Sequence, residues 1–281
     1  MVSASPPGYR ALNDDERRLA SISRALDLVE SRLRDRLDVA AMAGAACYSM
    51  FHFVRVFTEL TGHGPYDYLM RRRVAEAAEE VVSGERPLID IALEYDFESP
   101  EGFARAFRRC FGLSPSEARK ARRYPSGLAR LAISGQYAKR LLASGLKASP
   151  SEEPALSIAG SMADADGPFA IGTEIVVVGF AGEGLAGRAP SAFAGRALGP
   201  EEPAPAFPAV STVVAGGPAV AASVASARDS PRRARIDVGL ARDYLYRTAI
   251  PVAGAFPRGD VELIRLGPDG GPVELVVPLS G

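Results

Sequence analysis

Tryptophan is absent from this chain, and cysteine and histidine occur only twice each. Cys47 and Cys110 share no C-x-x-C spacing and flank no histidine ligand pair, so no metal site is read there. They are expected to be small apolar residues near turns. His52 and His63 both lie in the N-terminal part. Further along, no Ser-His-Asp set, Cys-His pair or metal cluster can therefore be assembled, and no catalytic residue, cofactor or metal is assigned. Long hydrophobic runs are also missing. The longest apolar stretch, around 175–178, is far too short to span a bilayer. Residues 1–10 show no basic segment leading into an apolar run, so no membrane partner and a cytoplasmic location are expected. A net charge of −1 and 47% hydrophobic residues describe an ordinary globular chain, long enough for two domains with real cores.

What the chain does contain is a repeat. Ser49, Phe53, Arg55, Phe57, Gly62 and Pro65 recur 50 positions later as Ser99, Phe103, Arg105, Phe107, Gly112 and Pro115. Each copy reads as a short helix, a tight turn and a second helix opening at a serine. That is the plan of a helix-turn-helix, which lays its second helix in the DNA major groove. At 100° per residue Phe53, Phe57 and Leu60 share one face of the first copy, with Phe51, Val54, Arg55 and Thr58 opposite. In the second copy Phe103, Phe107 and Cys110 turn inward, while Glu101, Ala104, Arg105 and Arg108 turn outward. An arginine in the middle of each outward face has the fork geometry to pair with guanine O6 and N7. Ser49 and Ser99 are read as caps whose helix starts, together with Arg108 and Arg109, meet phosphates.

Charge and composition mark out two regions. Residues 1–125 carry 19 Lys+Arg and 19 Asp+Glu, but 105–123 hold seven basic groups (Arg105, Arg108, Arg109, Arg119, Lys120, Arg122, Arg123) against Glu117 alone. Arg71, Arg72 and Arg73 form a second cluster, also read toward phosphate. Helix signals run to about Arg123: an acidic first turn at Asp14, Asp15 and Glu16, proline after Gly62 and Gly64, and the Ser114-Pro115-Ser116-Glu117 start. Residues 151–281 instead hold 14 Pro and 18 Gly. The expected fold class is an all-α DNA-binding domain of seven helices with two helix-turn-helix units, followed by an α+β, strand-rich domain. The expected division is a flexible N-terminus at 1–13, the helical domain at 14–124, a linker at 125–153 and the second domain at 154–281. A connecting helix over about 65–82 would be about 27 Å long. With the flanking units, it would hold two reading helices in adjacent grooves about 34 Å apart.

The residues of 38–123 carry a family resemblance: Tyr48-Ser49 with His52, Arg55 and Phe57, then Thr61-Gly62-His63, Arg72-Arg73-Val74, IDIALEYDF at 89–97, Glu98-Ser99 and FARAF at 103–107. This stretch resembles the DNA-binding domain of the AraC/XylS family of bacterial transcription regulators. The resemblance implies double-stranded DNA as partner, with groove-facing positions at Phe51, Val54, Arg55, Pro100, Glu101, Ala104 and Arg105. For the second domain two modes of signalling stand open, a ligand-driven change of angle between the domains or contact with the transcription machinery, with RNA polymerase as the candidate partner. Phe51 and Val54 depart from the Trp and polar amide common in the family. The helical part comes first, an order similar to Rob-type regulators, whose second part is a GyrI-like domain that binds small molecules.

In the second half, strand-like runs are read at 155–159, 173–180, 210–215, 219–224, 244–250, 261–266 and 273–279, with 186–198 as a weak helix candidate. The ending 272–279 resembles the closing strand of GyrI-like domains. A small-molecule effector is expected there, with Glu274 as the first ligand candidate and Glu262, Tyr244 and Tyr246 behind it. A solvent-facing Glu274 is the plain alternative. The Gly-rich stretch 179–187 lacks the Lys-Ser/Thr ending of a phosphate loop and reads as a loop between strands. The competing function is a small-molecule-scavenging protein, or a hydrolase working through Glu262 or Glu274, with DNA binding secondary.

Overall fold

The computed structural model describes residues 13–124, 128, 132–164, 173–179, 191–199, 202, 210–223, 231–257, 261–267 and 272–280. The expected flexible start (Asn13 apart) and most of the Gly-rich stretch 179–187 lie outside the described residues. The first helix, α1 (Asp14–Ser31), begins where its acidic turn predicts. The Asn13 side chain accepts from Glu16 N at 2.8 Å and Glu16 accepts from Asn13 N at 2.9 Å, a reciprocal cap that satisfies two end donors. Its apolar stripe Ile22, Ala25, Leu26 and Val29 is buried.

Two helix pairs follow, α2 (Val39–Ala45) with α3 (Met50–Thr61), and α5 (Leu88–Glu94) with α6 (Pro100–Phe111). The long α4 (Pro65–Ser83) joins them and α7 (Pro115–Ala121) closes the set. The turns obey the repeat. Cys47 and Asp96 both sit in the left-handed region, at φ 57° and 58°, and each is followed by an N–H that returns 3.0 Å to a carbonyl five residues back. Gly62 and Gly112 end α3 and α6 at φ 77° and 78°, a conformation that glycine adopts without Cβ strain. Inside, Phe97, Phe103, Phe107, Phe111 and Tyr124 stack in sequence with ring centroids 4.8–5.8 Å apart, and Phe53, Phe57 and Tyr68 do the same in the first copy.

The stretch 125–153, read as a linker, contains structure. Helix α8 (Gly135–Ser144) packs on α1, and β1 (Ala148–Glu153) is an edge strand. The rest of the sheet comprises β2 (Leu156–Asp164), β3 (Ile175–Gly179), β4 (Ser191–Ala197), β5 (Val210–Val214), β6 (Gly217–Ser223), β7 (Val261–Leu266) and β8 (Pro272–Pro278). All pairings are antiparallel, in the order β1-β6-β8-β7-β3-β4-β2-β5. That order has a centre: β6, β7 and β8 on one side correspond to β2, β3 and β4 on the other. Gly160 and Gly195 face each other across β2 and β4, where a Cβ on either would overlap the neighbouring backbone.

Two local expectations fail. Residues 244–250, read as a strand from their aromatic and β-branched content, instead prolong α9 (Pro231–Tyr244) through a π-helical turn at Leu245–Ala249 into α10 (Ile250–Ala253). Leu245, Tyr246 and Ile250 are buried, a helical rather than alternating pattern, so packing overrides propensity. Conversely, the helix candidate 186–198 contains β4, whose small residues fit between two neighbouring strands.

Candidate nucleic-acid interface

Helix α3 buries Phe53, Val56, Phe57 and Leu60 and presents Phe51, Val54 and Arg55 outward, Phe51 at 84% exposure. Arg55 Nη2 lies 3.3 Å from His52 Nδ1, and the His52 ring stands edge-on to Tyr48 at 4.5 Å. Helix α6 buries Phe103, Phe107, Cys110 and Phe111 and exposes Glu101 and Arg105, with Pro100 and Ala104 half-buried between them. The two outward faces are thus built alike but carry different chemistry. Their starts differ as well. Ser99 Oγ accepts from Gly102 N at 3.1 Å, whereas Ser49 makes no side-chain cap bond. The capping role read for Ser49 is therefore corrected: at φ −66° and ψ 152° it occupies the cap position through its backbone alone.

Beside the α6 face, bounded by α4 and the segment that leads into α2, lies an open cleft of about 840 Å³ whose lining includes Arg36, Asp38, Tyr66, Arg73, Arg105 and Arg109. Helix α4, which links the pairs, spans 19 residues and so about 28 Å. Its arginines do not serve phosphate. Arg71, Arg72 and Arg73 are all buried, paired respectively with Asp67 at 2.7 Å, Glu30 at 2.6 Å and Asp96 at 2.8 Å. Arg72 grips Glu30 through both Nε and Nη2, the fork geometry that suits a carboxylate. Sequence reasoning mistook this run for a surface patch because the carboxylates that pair with Arg72 and Arg73 come from α1 and a turn distant in the chain, although the partner of Arg71 lies one turn away on α4 itself.

Other basic groups are shared. Arg108 is exposed and lies 3.4 Å from Glu117, while Arg109 pairs with Asp67 at 3.0 Å. Arg119 donates to the Val81 carbonyl at 2.9 Å near the end of α4, a structural bond. Burial pushes the Asp67 carboxyl up. Hydrogen bonds from His63 and Arg71 and the charges of Arg71 and Arg109 outweigh that and hold it well below the usual carboxylate range. Asp67 and His63 were missed as site-supporting residues, and the i,i+4 spacing of Asp67 and Arg71 was the available signal.

Cys110 is buried as expected, and burial pushes its thiol up to about 12, leaving it without nucleophilic character near neutrality. Cys47 departs from expectation: it is exposed, set outward by the turn it makes. Among the described residues no group of three or more His, Cys, Asp or Glu is arranged to hold a metal, and no single helix is long and apolar enough to cross a membrane.

In the sheet, the ligand candidates are split between two faces. The register Arg265↔Glu274 and Ile264↔Leu275 puts Glu274 on the opposite side from Glu262. Glu274 is half-buried, 3.4 Å from Arg265, which also pairs with Glu153. Glu262 is fully buried and accepts from Arg242 Nε of α9 at 2.7 Å. Tyr244, half-buried, follows Arg242 on α9, and Tyr246 is buried in the π-helical turn.

A helix pair with a solvent-facing second helix, built twice, defines a protein of the helix-turn-helix class. Comparison with known proteins agrees: residues 42–121 match the family model described as a helix-turn-helix domain. The HTH-type transcriptional activator AarP of Providencia stuartii is 39% identical over 95 residues, 34% of this chain and 70% of AarP. The right origin-binding protein of Escherichia coli is 36% identical over 93 residues, and the chain spans about a third of that relative's length (32%), with 33% of this chain matched. Among solved structures, the DNA-binding domain of AdpA in complex with a target DNA is similar at 31% identity, covering 37% of this chain and 91% of that one, with a TM-score of 0.32. The chain belongs to the AraC-type family of helix-turn-helix, DNA-binding transcription regulators.

Proposed function

We propose that the protein is a sequence-specific transcription regulator that reads two adjacent major grooves of one double-stranded DNA site, with α3 in the first groove and α6 in the second. The observation that carries this is the pair of outward faces, each centred on an exposed arginine and joined by a single helix of about 28 Å. On this reading residues 14–124 are the DNA-binding domain. Arg55 and Arg105 read guanine edges, while Phe51, Val54 and Ala104 offer apolar contact to thymine methyls and Glu101 accepts from cytosine N4. The first turns at Ser49 and Ser99, with Arg108 and Arg109, position the phosphate backbone.

The same reading makes 154–281 a small-molecule effector domain of the GyrI-like kind, supported by the centred strand order and by the helix following β6. Of the candidate acids, Glu262 is better placed than Glu274. It is a wholly buried carboxylate beneath α9, where a cationic aromatic ligand would compete with Arg242; Glu274 is engaged in the Arg265 ladder on the other face. Control requires the effector to favour one conformation, since equal affinity for both shifts nothing.

The test is selection of bound sites from random duplexes with the full chain. Two short elements about one helical turn apart, in an asymmetric site, are expected. A single enriched element would mean that only one helix reads DNA. A panel of cationic aromatic compounds, added to wild type and Glu262→Gln in thermal unfolding, tests the effector site. A compound that stabilises both equally refutes the Glu262 assignment.

A further inference from the structure

The helix that ends the α9 segment makes a set of contacts that the reading above does not use. Pro251 has no N–H, so the carbonyl of Arg247 one turn earlier lacks its i+4 helical donor. A side chain of the helical part supplies one: His63 Nε2 stands 2.5 Å from the Arg247 carbonyl oxygen. A carbonyl only accepts, so Nε2 carries the hydrogen. The His63 side chain is 1% exposed, and its Nδ1 lies 3.8 Å from Asp67 Oδ2. The Pro251 carbonyl in turn accepts from Arg71 Nη2 at 3.1 Å.

These bonds end at the termini of both reading helices. Thr248 sits against the turn that closes α3: its Oγ1 donates to the Thr61 carbonyl at 3.4 Å, and a Cβ on Gly62 would collide with its methyl. Phe256 sits against the equivalent turn closing α6, its ring 3.2 Å from where a Cβ on Gly112 would be. Asp67 lies between these points and joins Arg71 at 2.7 Å to Arg109 of α6 at 3.0 Å. One short segment of the second domain therefore touches the same position in each copy of the repeat.

We infer that residues 247–256 act as a strut that fixes α3 relative to α6. Thr248, Pro251 and Phe256 are then positioning residues for DNA readout, although none is placed on DNA. The strut sets which separation of two half-sites the protein accepts. This inference rests on the reading that α3 and α6 enter successive grooves. Two linked readers gain over one only when their geometry matches the spacing of their sites.

The experiment uses the full chain and the duplex recovered by site selection, remade with its two elements moved apart or together one base pair at a time, and with one element scrambled. Wild type is expected to prefer one separation sharply. Thr248→Ala and Phe256→Ala are expected to lose about tenfold at that separation and to flatten the profile, with single-element affinity unchanged. Pro251→Ala, which returns a helical N–H to the Arg247 carbonyl, should flatten it too; it provides the reading if either alanine variant no longer melts cooperatively. Variants that fold and keep the wild-type profile overturn the strut. A wild type that binds the scrambled duplex as tightly as the intact one overturns the two-groove reading and the strut with it.

Discussion

The first and second copies of the helix pair share backbone and core yet differ on the face turned outward. Phe53 and Phe103, Phe57 and Phe107, and Gly62 and Gly112 occupy matching buried or turn positions. Outward, α3 offers Phe51 and Val54 beside its arginine, while α6 offers Glu101 and Ala104 beside its own. The start of α6 is capped by a side chain and that of α3 is not. Packing demands constrain the inward positions because a lost methylene leaves a cavity; the outward positions are left to chemistry. The duplicated unit is thus a common chassis with two different reading surfaces.

The largest effects should come where the copies are alike. Phe53→Ala and Phe103→Ala each remove a fully buried ring, and each should cost about 3–5 kcal/mol in denaturant unfolding. A cost differing by more than half between them would show that the two cores are not equivalent. Next comes the ion-pair cluster between the copies. Asp67→Asn should destabilise by about 2 kcal/mol near neutral pH, a figure reduced for the partial exposure of Asp67. The folded-state pKa of Asp67 is depressed, so its contribution is present above the ordinary carboxylate range and lost as pH falls through the lower folded value. The variant should accordingly show a shallower loss of stability on acidification, measured by melting temperature against pH.

Where the copies differ, smaller effects should distinguish them. Arg105→Ala should lower the ratio of specific to nonspecific DNA affinity by about 1–3 kcal/mol, in competition binding at fixed salt. An equal fall on all sequences would make Arg105 a phosphate contact instead. Ser99→Ala should cost about 1 kcal/mol of stability, and Ser49→Ala within about 0.5 kcal/mol of nothing, since only the first loses a cap bond. Equal costs would mean that Ser49 acquires a capping bond in solution.

The helical part was readable because its signals are local. Helical periodicity, serine and asparagine starts and glycine stops all act within a turn or two of the residues they affect. The inward and outward sorting of α3 and α6 followed directly, as did the burial of Cys110. What escaped depended on distant partners. Arg72 and Arg73 look basic in the sequence and are neutralised by Glu30 and Asp96, 42 and 23 residues away. The sheet was half legible. The cores of six of the seven strand runs are where the sequence pattern put them, but β4, rich in alanine and glycine, has little pattern of its own and takes its form from β2 and β3. The segment 244–250 has strand-like residues held in a helix by burial. Glu262 and Glu274 could be nominated from sequence, but only the register shows that they face opposite ways.

The place of β8 in the sheet has a consequence for how the chain is made. It is the last of the described strands, yet it lies between β6 and β7 and provides both with a ladder. During synthesis the helical repeat emerges first and can fold from nearby contacts, while β1 and β6 have no link to β7 and β3 until residues 272–278 have left the ribosome. For that interval the nascent protein presents a folded DNA reader tethered to an unfinished sheet with open edges. A chain cut before residue 272 would remain permanently in that state.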